Sequence, residues 1–189
     1  MNREGWLWLG LGGAVAWWLY ANRQEAASVV QTGVETVTAA IQGWKNVKDG
    51  PLWVPVLNAA ERSFAIPTDL LARVAYQESH FRPEIIDGTT ASSAGALGLM
   101  QLEPAYFSSV RVPVPFTAQD TAAQIQEAAG ELMRLYNHYN DWSLAVAAYN
   151  DGQGNIDQYL AGTRALPDET VNYVSQVFAD VPVPNTQLA

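Results

Sequence analysis

The sequence predicts a mainly α-helical protein, and three observations carry that class. Apolar residues recur at spacings of three and four through most of the 189 residues, the period of a helix face. Strand signals are nearly absent, the exception being residues 110–116, where Pro113 and Pro115 favour an extended edge or a loop. Hydrophobic residues make up 49% and charged residues 15% of the chain, enough apolar content for a sizeable core and too little charge for disorder. The length suits one domain of ordinary size with appendages, not two large ones.

Residues 5–21 (GWLWLGLGGAVAWWLYA) carry no charge and lie between Arg3 and Arg23, which predicts a transmembrane anchor over residues 1–24. Trp6 and Trp8 at one end, and Trp17, Trp18 and Tyr20 at the other, suit the two interfacial layers. The competing readings are a cleaved signal peptide, against which the bulky end of this stretch lacks a small-x-small cleavage pattern, and an uncleaved signal. The weak flanking charges favour the N-terminus inside and the remainder outside. Over residues 25–50, Val30, Val34, Val37, Ile41 and Trp44 form one stripe, predicting a short amphipathic helical stalk. Gly50-Pro51 then sets an expected boundary, with the main domain over 51–180 and an extended, frayed tail over 181–189.

Within the main domain Leu52, Val56, Ala59, Ala60 and Phe64 share a helix face, and Thr68 is placed to cap a helix carrying Leu70, Leu71, Val74 and Ala75. Further helices are predicted near 119–138, 142–150, 153–161 and 168–179. Ten Lys and Arg against 19 Asp and Glu give a net charge of −9, with no basic cluster, which argues against a nucleic-acid partner. The chain has no cysteine, and its two histidines, His80 and His138, read as surface residues, so no metal and no cofactor is expected.

Glu78 falls four residues after Val74 and seven after Leu71, on the face those residues bury, and in the last helical turn before Pro83. Burial and the negative end of the helix dipole both favour the protonated acid. A carboxylic acid held neutral near pH 7 is what glycoside cleavage requires, because the glycosidic oxygen leaves poorly unless protonated. The competing reading is a helix-terminal carboxylate paired with Arg73 or Arg82. Ala94–Gln101 reads as a small-residue turn entering a helix, with Met100 and Gln101 suited to a sugar ring. The segment 142–150 (WSLAVAAYN) is apolar almost all round, hence buried, and ends in polar residues of the kind that line a cleft.

Taken in order, Glu78-Ser79, GALGLMQ at 95–101, AAYN at 147–150 and Glu169-Thr170-x-x-Tyr173-Val174 give a pattern that resembles the soluble-lytic-transglycosylase type of peptidoglycan lytic transglycosylase over residues 53–180. The resemblance implies a lysozyme-like fold and Glu78 as the single acid/base. It implies Ser92 near the substrate's N-acetyl group, with Ser93 equally placed, and Met100, Gln101, Tyr149 and Asn150 lining the cleft. Glu169 and Tyr173 match the closing motif and are expected to support the cleft. Tyr149 either positions Glu78 or is a core tyrosine satisfied by a backbone carbonyl. Asp87 is either a second carboxylate or the turn residue of Asp-Gly. Glu103 and Asp151 add acid near the cleft, which would raise the Glu78 pKa further.

The implied reaction is cleavage of the β-1,4 bond between N-acetylmuramic acid and N-acetylglucosamine with formation of 1,6-anhydromuramoyl ends. The implied partners are glycan strands, the membrane through residues 5–21, and other envelope-complex or virion proteins. The implied location is the outer face of the cytoplasmic membrane, or a virion membrane. A hydrolytic muramidase, an inactive glycan-binding module of an envelope-spanning or phage-infection apparatus, and a small membrane-docking protein are the competing readings.

Overall fold

The computed structural model describes residues 43–181 together with 183, 186 and 188, so the expected anchor and the stalk up to residue 42 lie outside the described residues. Among the described residues no helix is long and apolar enough to cross a membrane. A 3-10 turn, Gly43–Asn46, leads into helices α1 (Gly50–Phe64), α2 (Leu70–Ser79), α3 (Pro83–Ile86), α4 (Ala118–Tyr139), α5 (Trp142–Asp151), α6 (Gln153–Leu160) and α7 (Asp168–Phe178). The helical class and the later helices match the sequence reading. Only the single turn α3, too short for a periodic signal, was not expected.

Helix α5 is the axis of the core. Trp142 through Ala148 are all buried, and α4, α6 and α7 pack around them. Its N-terminus is capped by the buried Asp141, whose carboxylate accepts from the Leu144 N–H at 2.9 Å and the Ser143 hydroxyl at 2.6 Å. Helix α4 begins with a capping box, the Thr117 hydroxyl accepting from the Asp120 N–H and the Asp120 carboxylate accepting from the Thr117 N–H. Helix α1 packs on α4 and α2, and α2 packs in turn on α7.

Two expectations are corrected. The face of α1 that meets the core is Trp53, Val54, Leu57, Ala60 and Glu61, while Leu52 is 62% exposed and Val56 36% exposed. Ala60 and Phe64 of the expected stripe do meet the core, so periodicity misplaced its first turns only. Thr68 caps nothing: α2 starts after Asp69, which is left-handed at φ 69° and whose carboxylate is taken by Lys45 at 2.6 Å. The cap comes from α1, where the buried Glu61 carboxylate accepts from the N–H groups of Asp69 at 2.8 Å and Ala72 at 3.0 Å. Gly50-Pro51 opens α1, in line with the helical periodicity read from residue 51 onward, since proline in a first turn forfeits no hydrogen bond.

The packed unit begins at Trp44, ahead of the expected boundary at residue 51. Its buried indole stacks on Phe81 and meets Tyr76, and its Nε1 donates to Asp180. Arg73 on α2 donates to the other Asp180 oxygen at 3.0 Å and lies over the Trp44 and Tyr76 rings, so both chain ends of the unit are tied to α2. The tail is not frayed where it is described: Val181 is buried, and the Leu188 N–H donates to the Ser143 hydroxyl at 2.9 Å.

Burial pushes the Glu61 carboxyl up to about 7 against the pull of its backbone donors. Glu61→Ala leaves the part-buried Asp69 N–H and the buried Ala72 N–H without an acceptor and should cost on the order of 3 kcal/mol in urea unfolding, whereas Glu61→Gln keeps one acceptor and should cost about half that. Equal losses in the two variants would contradict the capping role.

Candidate active site

Glu78 sits in the last turn of α2, with its acid group half-buried between elements. The Tyr173 hydroxyl on α7 donates to its Oε1 at 2.5 Å. The other oxygen, Oε2, has no protein partner among the described residues. Neither arginine of the competing reading pairs with it: Arg73 is bonded to Asp180, and Arg82 lies 3.9 Å from Glu84. Burial pushes the Glu78 pKa up from 4.5 to about 7, and the Tyr173 hydrogen bond opposes that shift by favouring the charged form. No other carboxylate contributes, so the acid added by Glu103 and Asp151 does not raise it as expected. Asp151 is instead clamped by the Arg164 guanidinium.

The small-residue segment folds differently from the expected entrance to a helix. Leu97 and Leu102 exchange both backbone hydrogen bonds at 3.0 Å, closing residues 97–102 into a tight turn. Gly98 in that turn is left-handed at φ 78°, and a Cβ there would lie 2.0 Å from the side-chain oxygen of buried Gln124 on α4. Only glycine fits. Gln101 is also left-handed, at φ 46°, an uncommon conformation for a residue with a side chain, and its amide donates to the Gly98 carbonyl at 2.9 Å.

This turn separates two residues that the sequence placed together. Gln101 faces the cleft, but Met100 is fully buried and its side chain belongs to the core. What Met100 supplies is its carbonyl, which accepts from the Tyr149 hydroxyl at 3.0 Å. Tyr149 is therefore satisfied by a backbone carbonyl, the second of its two sequence readings. Its pKa is nevertheless pushed well above the usual value by burial and by the charge of Glu78, as is that of Tyr173.

A cleft of about 600 Å³ opens beside these groups, lined by Gln101, Glu103, Tyr106, Phe107, Glu131 and the α5 end from Tyr149 to Gly152. Asn150 lines it while accepting from the buried Thr170 hydroxyl at 2.9 Å, which joins α5 to α7. Glu78 is not part of this wall; Tyr149 links the two, lining the cleft and feeling the Glu78 charge. Tyr106, Phe107 and Glu131 were not singled out from the sequence. An adjacent aromatic pair in a proline-bearing connection was a usable signal for the first two, whereas Glu131 reads as any exposed helix residue.

The remaining sequence candidates stand apart from the cleft wall. Ser92 and Ser93 are exposed, and the Ser92 hydroxyl is occupied by the Ala96 N–H at 3.0 Å. Asp87 accepts from the Thr89 N–H at 2.9 Å and the Thr89 hydroxyl at 2.6 Å, the turn role. Glu169 is exposed in the first turn of α7 and lines a smaller recess with Tyr173. Among the described residues no cluster of His, Asp and Glu suits a metal ion. Chemically, the arrangement holds one carboxylic acid able to give and retake a proton near neutral pH, with tyrosines on two sides.

Comparison with known proteins places this geometry. A transglycosylase of Enterobacteria phage PRD1 is 30% identical over 128 residues, spanning 68% of this chain and 45% of that protein. The lytic transglycosylase Slt of Pseudomonas aeruginosa, solved as an inactive glutamate-to-glutamine mutant, superposes with a TM-score of 0.54 at 28% identity. That alignment covers 67% of this chain and 23% of the other, so this chain spans less than half the length of either relative. Residues 55–172, which include Glu78, the closed turn and the Tyr149-Asn150 end of α5, match the transglycosylase SLT domain, and the chain belongs to that family.

Proposed function

We propose that this chain is a membrane-anchored peptidoglycan lytic transglycosylase in which Glu78 acts alone as acid and then base. The observation that carries the reading is a lone carboxyl group, lifted by burial to about 7 and held by Tyr173, at the helix end where the family motif places Glu78-Ser79. Protonated Glu78 gives its proton to the oxygen between N-acetylmuramic acid and N-acetylglucosamine. The substrate's acetamido group stabilises the positive centre at C1. The Glu78 carboxylate then removes the proton of the same sugar's C6 hydroxyl, whose oxygen bonds to C1 and closes a 1,6-anhydro ring. The proton lost in the first step is recovered in the second, and no water is consumed.

Tyr173 orients the acid and favours its anionic state between the two steps. Tyr149 stiffens the wall between acid and cleft through the Met100 carbonyl. The cleft beside them takes the glycan, and residues 5–21 hold the domain at the outer face of a cytoplasmic or virion membrane. The names of both relatives support the reaction class, and the glutamate replaced in the inactive Pseudomonas protein supports an essential acid.

Mass spectrometry of muropeptides released from purified peptidoglycan by the full chain tests this reading. Anhydro ends are expected, and Glu78→Gln should lower their release by about 100-fold or more. Reducing ends would replace the proposal with hydrolysis, and glycan binding without release would make the domain a binding module.

The pH profile tests the proton assignment. An acid whose pKa is raised to about 7 is protonated below that value, so kcat/KM should fall as pH rises through about 7. Tyr173→Phe removes a hydrogen bond that favours the carboxylate, which should move the falling limb up by about one unit. An unmoved limb would mean that Glu78 is not the titrating group.

A further inference from the structure

Helix α1 is apolar on its outer side as well as on the side that meets the core. Trp53, Val54, Leu57 and Ala60 are buried, in a helix that packs on α4 and α2. Leu52, Pro55, Val56 and Ala59 are exposed, Leu52 to 62%. Positions 52, 56, 59 and 63 recur at intervals of four, three and four, so with Pro55 beside them they form one continuous outer face about three turns long. A single exposed leucine needs no explanation, but neighbouring apolar residues on one uncovered face mark a contact surface.

The charge of this face is opposite to that of the protein. Over residues 46–63 the exposed residues include two cations, Lys48 and Arg62, and no acid, in a chain of net charge −9. The one glutamate of α1, Glu61, is buried and bonded to the start of α2. Lys48 precedes the first turn and Arg62 stands in the last, so a cation flanks each end of the apolar stripe. Neither forms an ion pair among the described residues, whereas nearby Lys45 is bound to Asp69. Pairing with a second copy about a two-fold axis would set Lys48 of each copy against Arg62 of the other, like charge on like. A bilayer surface with anionic headgroups satisfies both features, giving an apolar boundary to Leu52 and Val56 and phosphates to the two cations, whose long stems can follow the apolar face. The acids elsewhere on the domain oppose this weakly, because charges more than about 8 Å apart are largely screened at physiological salt.

Resting on the membrane-anchored reading given above, we propose that the outer face of α1 docks on an anionic lipid surface, with Leu52, Pro55, Val56 and Ala59 in the interfacial layer and Lys48 and Arg62 on headgroup phosphates. A tether alone leaves a domain free to turn, whereas a docked face fixes its orientation. No residue of α1 lines the cleft, so this contact leaves the cleft open to glycan.

The chain has no cysteine, so Leu52→Cys, Val56→Cys and, as a control, Leu160→Cys on α6 each place one environment-sensitive fluorophore on the full chain. Leu160 is 50% exposed and belongs to a different face of the domain's surface. In vesicles of phosphatidylglycerol and phosphatidylethanolamine doped with spin-labelled lipid, the labels at 52 and 56 should shift to the blue and be quenched, and the label at 160 should do neither. Lys48→Gln/Arg62→Gln should lower the ratio of quenched to free label about fivefold per charge, and vesicles of phosphatidylcholine alone should lower it similarly. Equal quenching at all three positions would overturn the proposal, as would labels at 52 and 56 that are blue-shifted yet unquenched, which would put protein on the face. Flotation of the parent separates docking from anchoring. A parent that floats while 52 and 56 stay unquenched keeps the anchor and loses the docked face. A parent that fails to float with phosphatidylcholine vesicles, yet is quenched at 52 and 56 by the anionic ones, loses the anchor and keeps the face.

Discussion

The placement of α2 is the constraint on which the site depends, and a carboxylate stands at each end of that helix. At its start Glu61 reaches across from α1 to take the part-buried N–H of Asp69 and the buried N–H of Ala72, two donors that the helix itself leaves unpaired. At its end Glu78 is held by Tyr173 of α7. Both acids are lifted to about 7 by burial, yet their partners differ. Glu61 has both oxygens bonded to backbone and is sealed from solvent. Glu78 has a single side-chain donor among the described residues and an oxygen to spare, and that difference in partners separates a carboxylate sealed into the fold from one left able to exchange a proton.

The opposite wall is built by letting the backbone take an unfavourable shape. Residues 97–102 close on themselves, Gln101 adopts a left-handed conformation, and Gly98 lies against the Gln124 amide where no Cβ fits. Strain of this kind persists only where surrounding contacts over-determine it. Here Leu99, Met100 and Leu102 are buried beneath the turn, and Tyr149 bonds to its carbonyl. The core anchors the turn and the turn presents Gln101, so core and cleft share neighbouring residues.

Charge is distributed with the same economy. Most cations near the site are engaged: Arg73 with Asp180, Arg164 with Asp151, Arg134 with Glu131, Lys45 with Asp69. These pairs orient α2, the end of α5 and the edge of the cleft.

Much of this was legible in the chain itself. Helical spacing gave the class and the larger helices, because a stripe at three- and four-residue intervals is a local property. The order Glu78, GALGLMQ, AAYN and Glu169–Tyr173 gave the family, and the position of Glu78 on the buried face gave its raised pKa. What sequence spacing misjudged were matters of tertiary contact. Leu52 and Val56 fall on a regular stripe yet face water, because packing on α4 and α2 selected the neighbouring face. Thr68 is a good capping residue left unused, because Glu61 is distant in sequence and close in space. Met100 and Gln101 are adjacent yet diverge into core and cleft, because the turn closes between Leu97 and Leu102. The sequence by itself determined the helices, the family and the place of Glu78 on a buried helix face, all encoded by residues near one another in the chain. Only the tertiary structure decided which faces are buried, which carboxylate caps α2 and which acid each cation pairs with, because those depend on groups brought together from separate elements.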